Sequence, residues 1–153
     1  EFVSHYRVNF FDPAQQTALF PGSIQTLETL LSQDYVLAVA TSKSRHGLDH
    51  VLKTSKLGHY FRTSQCADET RSKPHPDMLN KILDDLKVAR KDAVMIGDSE
   101  YDLAMASNAG TASIAATYGV HPVERLLKHK PIACLDTISD LPERLASRPS
   151  AFV

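Results

Sequence analysis

The sequence predicts an α/β fold: a parallel sheet covered by helices on both faces. Three observations predict it. Apolar runs of strand length recur at residues 35–40, 93–97, 111–116 and 132–135. Segments with helical spacing of apolar residues lie between them. Turn and capping residues separate the two kinds, so strand and helix alternate along the chain. Continuous apolar strands are the kind buried on both faces. Strand–helix–strand units close as right-handed crossovers in a parallel sheet.

The elements follow in order. Phe2, Val3, Tyr6, Phe10 and Phe11 recur at about helical spacing, which predicts a first helix. Residues 12–22 read as a loop, with Pro13 and a Pro21-Gly22 turn, and form the one stretch that suggests a linker. Ile24, Leu27, Leu30 and Leu31 mark an amphipathic helix. Residues 35–40 follow as a buried strand that Thr41 closes. Residues 47–57 read as a helix with Leu48, Val51 and Leu52 inward and Gly58 as its stop. A short strand is expected within 61–67, then a polar loop over 68–76 that carries Pro74 and Pro76. Met78, Leu79, Ile82, Leu83 and Leu86 share one side of a helix over 76–86. The strand 93–97 leads to a helix over about 101–108, stopped by Gly110. A small-residue strand over 111–116, a loop to Pro122 and a short helix through Val123, Leu126 and Leu127 come next. A strand over 132–135 and a helix over 138–145 complete the pattern.

A length of 153 residues with 42% hydrophobic content supports one ordinary domain with a real core. Net charge −1 and an average charged fraction of 23% give no global pull toward nucleic acid or a membrane surface. No apolar run reaches the length of a membrane span. Cys66 and Cys134 are far apart and match no metal-ligand spacing, so reduced thiols in a cytoplasmic protein are expected. The first residues carry neither an initiator Met nor a signal-peptide pattern.

Three strand ends carry polar groups. Thr41-Ser42-Lys43 follows the strand 35–40, and Ser72-Lys73-Pro74 lies in the loop before the Met78 helix. Asp98 and Asp102 follow the strand 93–97. Strand carboxyl ends share one rim of a parallel sheet, which is where open α/β sheets bind ligands. Each group also has a plainer reading. Thr41 or Ser42 serves as the cap of the next helix, and Asp98 likewise. Lys73 serves as a solvated loop lysine, and Asp102 as a first-turn acid favoured by the helix dipole. Single readings do not explain why a hydroxyl, a lysine and paired acids all fall at consecutive strand ends. Together they suit a phosphate site: hydroxyl and amide groups for phosphoryl oxygens, lysine for negative charge, and acids for Mg²⁺.

These residues carry a resemblance. Leu37-Ala38-Val39-Ala40-Thr41-Ser42-Lys43, Ser72-Lys73-Pro74-His75-Pro76 and Gly97-Asp98-Ser99-Glu100-Tyr101-Asp102 appear in order and at fitting spacing. In this the chain resembles the haloacid dehalogenase-like superfamily, and within it the phosphoglycolate phosphatase-like branch. They are similar to that family's second, third and fourth motifs, and Phe20-Pro21-Gly22 is similar to the segment that follows its mobile cap. The resemblance implies a Rossmann-like core over 19–153 and a remnant of the helical cap and linker over 1–18. It implies an Mg²⁺-dependent phosphatase of a small phosphorylated metabolite, working through an aspartyl-phosphate intermediate. Thr41 and the backbone N–H of Ser42 would bind the phosphoryl group. Lys73 would hold nucleophile and phosphate together. Asp98 and Asp102 would form the metal site, Asp102 supporting it from outside the coordination shell. Ser99 is a weaker supporting candidate.

The family's first motif, Asp-x-Asp-Gly-Thr at the end of the first strand, does not occur in this sequence. Its first Asp is the family's nucleophile. The resemblance places the missing strand between the strands that end at Thr41 and Gly97. Without it, two strand edges lose their neighbour, and self-association through those edges is expected. These 153 residues are then expected to form an incomplete and inactive part of the enzyme. The start inside an apparent cap helix resembles a cut rather than a gene start. The alternative is a non-catalytic fragment that binds phosphate or a partner. A receiver-type regulatory domain fits less well, because the clustered acidic pair it needs near its first strand is not found. No glycine-rich nucleotide loop occurs.

Overall fold

The computed structural model describes residues 18–147. The expected first helix and the cap remnant, apart from residue 18, lie outside the described residues. The remaining elements alternate as expected. Helix α1 is Ser23–Ser32, strand β1 is Ala38–Thr41, α2 is Arg45–Ser55 and β2 is Thr63–Cys66. Then come α3 at Asp77–Leu86, β3 at Val94–Gly97 and α4 at Glu100–Ala109. The fold ends with β4 at Ala112–Ala116, α5 at Val123–Leu127, β5 at Ala133–Leu135 and α6 at Leu141–Ala146. A 3₁₀ turn over Ile138–Asp140 starts what the sequence suggests is one helix.

Every strand pair is parallel, yet the strands form two sheets. Strand β1 pairs with β2, and β3-β4-β5 form a second sheet with β4 in the middle. The expected single sheet is therefore divided, at the place where the resemblance puts the strand that this sequence lacks. The helices do not divide. On one face, α3 and α4 pack Met78, Leu79, Met105, Ala106 and Ala109 against both Ala40 of β1 and Met95 of β3. On the other, Leu30 of α1 and Leu141 and Leu145 of α6 pack with Leu37 beside β1 and with Val94 and Ile96 of β3. Side chains alternate across a strand, so these clusters lie on opposite faces. Two helical layers thus bridge the interval between β1 and β3.

Among the described residues no strand pairs with the edge of β1 facing that interval. Arg62 N–H donates to Leu37 O at 2.8 Å on the β2 side. Carbonyls alternate along a strand, so Ala38 and Ala40 direct theirs to the other side. This explains one departure from expectation. Residues 35–40 read as a strand buried on both faces, but β1 is only half-buried along its length. Its start also shifts. Asp34 is left-handed (φ 64°), Tyr35 N–H returns to Leu30 O, and Tyr35 and Val36 stay 38% and 59% exposed. By contrast β4, flanked on both sides, buries four of its five residues.

Candidate active site

The β1 end turns sharply. Thr41 Oγ1 accepts from Lys43 N–H at 3.1 Å, which folds residues 41–43 back on themselves. Neither Thr41 nor Ser42 caps α2. That role falls to Ser44, whose Oγ accepts from Gly47 N–H at 3.2 Å. Thr41 is half-buried and Ser42 exposed, so both remain at the rim rather than being consumed as caps. Burial pushes the Lys43 ammonium below its usual range.

Lys73 is not a solvated loop lysine. Its Nζ donates to Ala40 O at 3.0 Å and to Asp102 Oδ1 at 2.5 Å. The side chains of this ion pair are only 10% and 8% exposed. Lys73 therefore spans the interval between the sheets, from the open edge of β1 to the first turn of α4. Its loop is pinned at several points: His75 N–H donates to Ser72 O at 3.0 Å, Asp77 N–H to His75 Nδ1 at 3.2 Å, and Asn108 Nδ2 to Pro74 O at 2.9 Å. Ion-pair geometry this buried is costly to form unless both partners are held.

The two acids differ in what they have left to offer. Ser99, not Asp98, caps α4, in a reciprocal capping box with Asp102. Asp102 Oδ2 accepts from Ser99 N–H at 3.1 Å and from Ser99 Oγ at 2.8 Å. With Lys73 on Oδ1, both Asp102 oxygens are engaged. Gly97 makes room for this carboxylate: a Cβ there would lie 2.9 Å from Asp102 Cγ. Asp98 Oδ2 accepts from Val120 N–H at 3.1 Å, and its Oδ1 has no hydrogen bond among the described residues. Beside it, burial first and the Asp98 carboxylate second push the Tyr118 phenol above its usual range. Phe20 meets the Tyr118 ring edge to face, centroids 4.9 Å apart.

The structure thus joins Lys73 to Asp102 and to the strand that ends in Thr41. It sets Asp98 at the carboxyl end of β3, and no bond links Ser42 to the others among the described residues. The residues suit Mg²⁺ in one respect: Asp98 presents a hard oxygen at a half-buried rim, and Mg²⁺ commonly takes one or two carboxylates with waters and substrate phosphate. Among the described residues no group of three metal-ligating side chains forms. Gly119, which lies against Asp98, is a residue that sequence patterning does not mark. Its signal lies in a contact between distant segments, which no local spacing encodes.

The family model of the haloacid dehalogenase-like hydrolases matches residues 1–116. The chain belongs to this family. Among curated relatives, "Probable phosphatase IndB" of Dickeya dadantii is 35% identical over 130 residues, covering 84% of this chain and 56% of that protein. Pyrophosphatase PpaX of Bacillus mycoides is 33% identical over 118 residues, covering 76% of this chain and 55% of that protein. The chain spans about half the length of these curated relatives. Among solved structures, a predicted phosphatase from Clostridium acetobutylicum superimposes with TM-score 0.84 at 26% identity, over 95% of this chain and 68% of that one. A predicted phosphoglycolate phosphatase from Haemophilus somnus gives 0.81 at 27%, over 94% and 63%. The haloacid dehalogenase-like fold expected from the three motifs is therefore present. Among the described residues no helix is long and apolar enough to cross a membrane.

Proposed function

We propose that this chain is the phosphate- and metal-handling part of an Mg²⁺-dependent phosphatase acting on a small phosphomonoester in the cytoplasm. The supporting observation is the buried Lys73–Asp102 pair anchored on Ala40 O. It fixes a cation beside Thr41, at the rim where the β1 and β3 ends approach. In this reading Thr41 Oγ1 and the Ser42 amide bind phosphoryl oxygens. The Lys73 ammonium offsets negative charge as the phosphoryl group moves. Asp98 would hold Mg²⁺, which when bound neutralises phosphate oxygens. Asp102 acts from outside the coordination shell, keeping Lys73 aimed. The carboxylate nucleophile of the family's first motif is not among these 153 residues. Turnover then requires the first-motif strand in the interval between β1 and β3.

The test is hydrolysis of p-nitrophenyl phosphate by the full-length protein and by residues 1–153 alone. Activity in the former that Asp98→Ala abolishes, and none in the latter, is the expected result. An inactive full-length protein that still binds phosphate would establish the second reading, a binding module without turnover. The substrate is a matter for the cap, whose expected remnant lies almost wholly outside the described residues.

A further inference from the structure

Asp98 is gripped from a loop centred 22 residues downstream, at Val120. Val120 N–H holds Oδ2 at 3.1 Å, and His121 N–H holds the Asp98 carbonyl at 3.0 Å. The third contact is steric. A Cβ on Gly119 would lie 2.6 Å from Asp98 Cγ and closer still to its Cβ and Oδ2. Space, not a left-handed backbone, demands glycine there, since no positive φ is found at this position. The loop is itself anchored. His121 Nδ1 accepts from Glu100 N–H at 3.0 Å, a first-turn amide of α4 that has no partner within the helix. The His121 ring also meets Tyr101 edge to face. Glu100 in turn is paired with Arg125 of α5. The chain from α5 through α4 to the loop therefore closes on one carboxylate.

We propose that Gly119, Val120 and His121 are positioning residues: they clamp the Asp98 carboxylate so that Oδ2 is occupied and Oδ1 is the oxygen presented to a divalent cation. This rests on the reading of Asp98 as a metal ligand. Hydrogen-bond partners of a ligating carboxylate fix its orientation, and removing them weakens metal affinity. A clamp of this kind leaves phosphate recognition by Thr41 and Lys73 untouched.

The test measures Mn²⁺ binding by electron paramagnetic resonance in the full-length protein without substrate, with Mg²⁺ activation and KM followed alongside. Gly119→Ala should weaken Mn²⁺ binding about tenfold and raise the Mg²⁺ concentration for half-activation to match. KM at saturating Mg²⁺ should hold. His121→Ala should weaken binding less, and His121→Asn, whose Oδ1 replaces Nδ1 as acceptor, should restore it. These two stand in if Gly119→Ala does not fold. Asp98→Asn separates the failures. If it leaves Mn²⁺ binding intact, the clamp and the metal role of Asp98 both fall. If it abolishes binding while folded Gly119→Ala and His121→Ala bind as the parent does, the clamp alone falls.

Discussion

Lys73 and Asp102, 29 residues apart, form a buried ion pair at 2.5 Å that ties the loop before α3 to the first turn of α4. The carboxylate serves two masters: Oδ1 takes the lysine and Oδ2 closes the capping box with Ser99. The pair is thus a structural joint and a candidate catalytic cation at once.

Removing one partner strands the other's charge. Lys73→Ala or Asp102→Ala should each lower unfolding free energy by about 3–5 kcal/mol, as for other broken buried pairs. The double variant Lys73→Met, Asp102→Leu should recover much of that stability and none of the phosphatase activity. Urea unfolding together with p-nitrophenyl phosphate turnover checks both. Single variants as stable as the parent would show the pair to be solvated in solution.

Ser99→Ala removes the cap of α4 and one of the two groups that hold Asp102 Oδ2. The expected loss is about 1 kcal/mol. Thr41→Ala, whose hydroxyl holds, among the described residues, only the Lys43 amide in its own turn, should cost less stability but more activity. Thermal unfolding and kinetics on the two variants check this opposite ordering.

The pairing of Arg45 with Glu69 gives a pH prediction. Arg45 donates to Glu69 through Nε and Nη2, both at 2.8 Å. This hydrogen-bonded pairing first, opposed by partial desolvation, holds the Glu69 carboxyl below its ordinary value. A depressed carboxylate contributes stability that is fully present above its unfolded value, about 4.3. That stability is lost as pH falls through the lower folded value. The gap in stability between the parent and Glu69→Gln should therefore be constant near neutrality and shrink below about pH 4. Denaturant titrations across pH 3–7 check it. A gap that widens in acid would reverse the assignment.

Much of this molecule is legible in its sequence, for reasons that particular residues make plain. The small-residue run at 111–116, which forms β4 over Ala112–Ala116, and the stop at Gly110 (φ 75°) are local signals, and both hold. Lys73 and Asp102 are found by motif order, and the structure brings them together. What fails is local competition. Among the hydroxyls of Thr41, Ser42 and Ser44, only geometry selects Ser44 as the cap. Helix α2 ends at Lys56, left-handed at φ 58°, before the glycine expected to stop it. The exposure of Val36 and the role of Gly119 depend on segments far away, so no window of sequence contains them.

The interval between β1 and β3 makes a prediction about the isolated chain. Among the described residues strand β1 has one neighbour, β2, and β3 has one, β4, whereas β4 has two. Open parallel edges roofed by helices invite another strand. Amide protection in hydrogen exchange should be greatest in β4 and weaker in β1, since edge amides open with less lost contact. Sedimentation of residues 1–153 should show association that grows with concentration. A longer chain carrying the first-motif strand should be monomeric by this measure, with β1 amides protected to the level of β4. If residues 1–153 sediment as a concentration-independent monomer with β1 already protected like β4, then the edges are closed from within, and no added strand is needed.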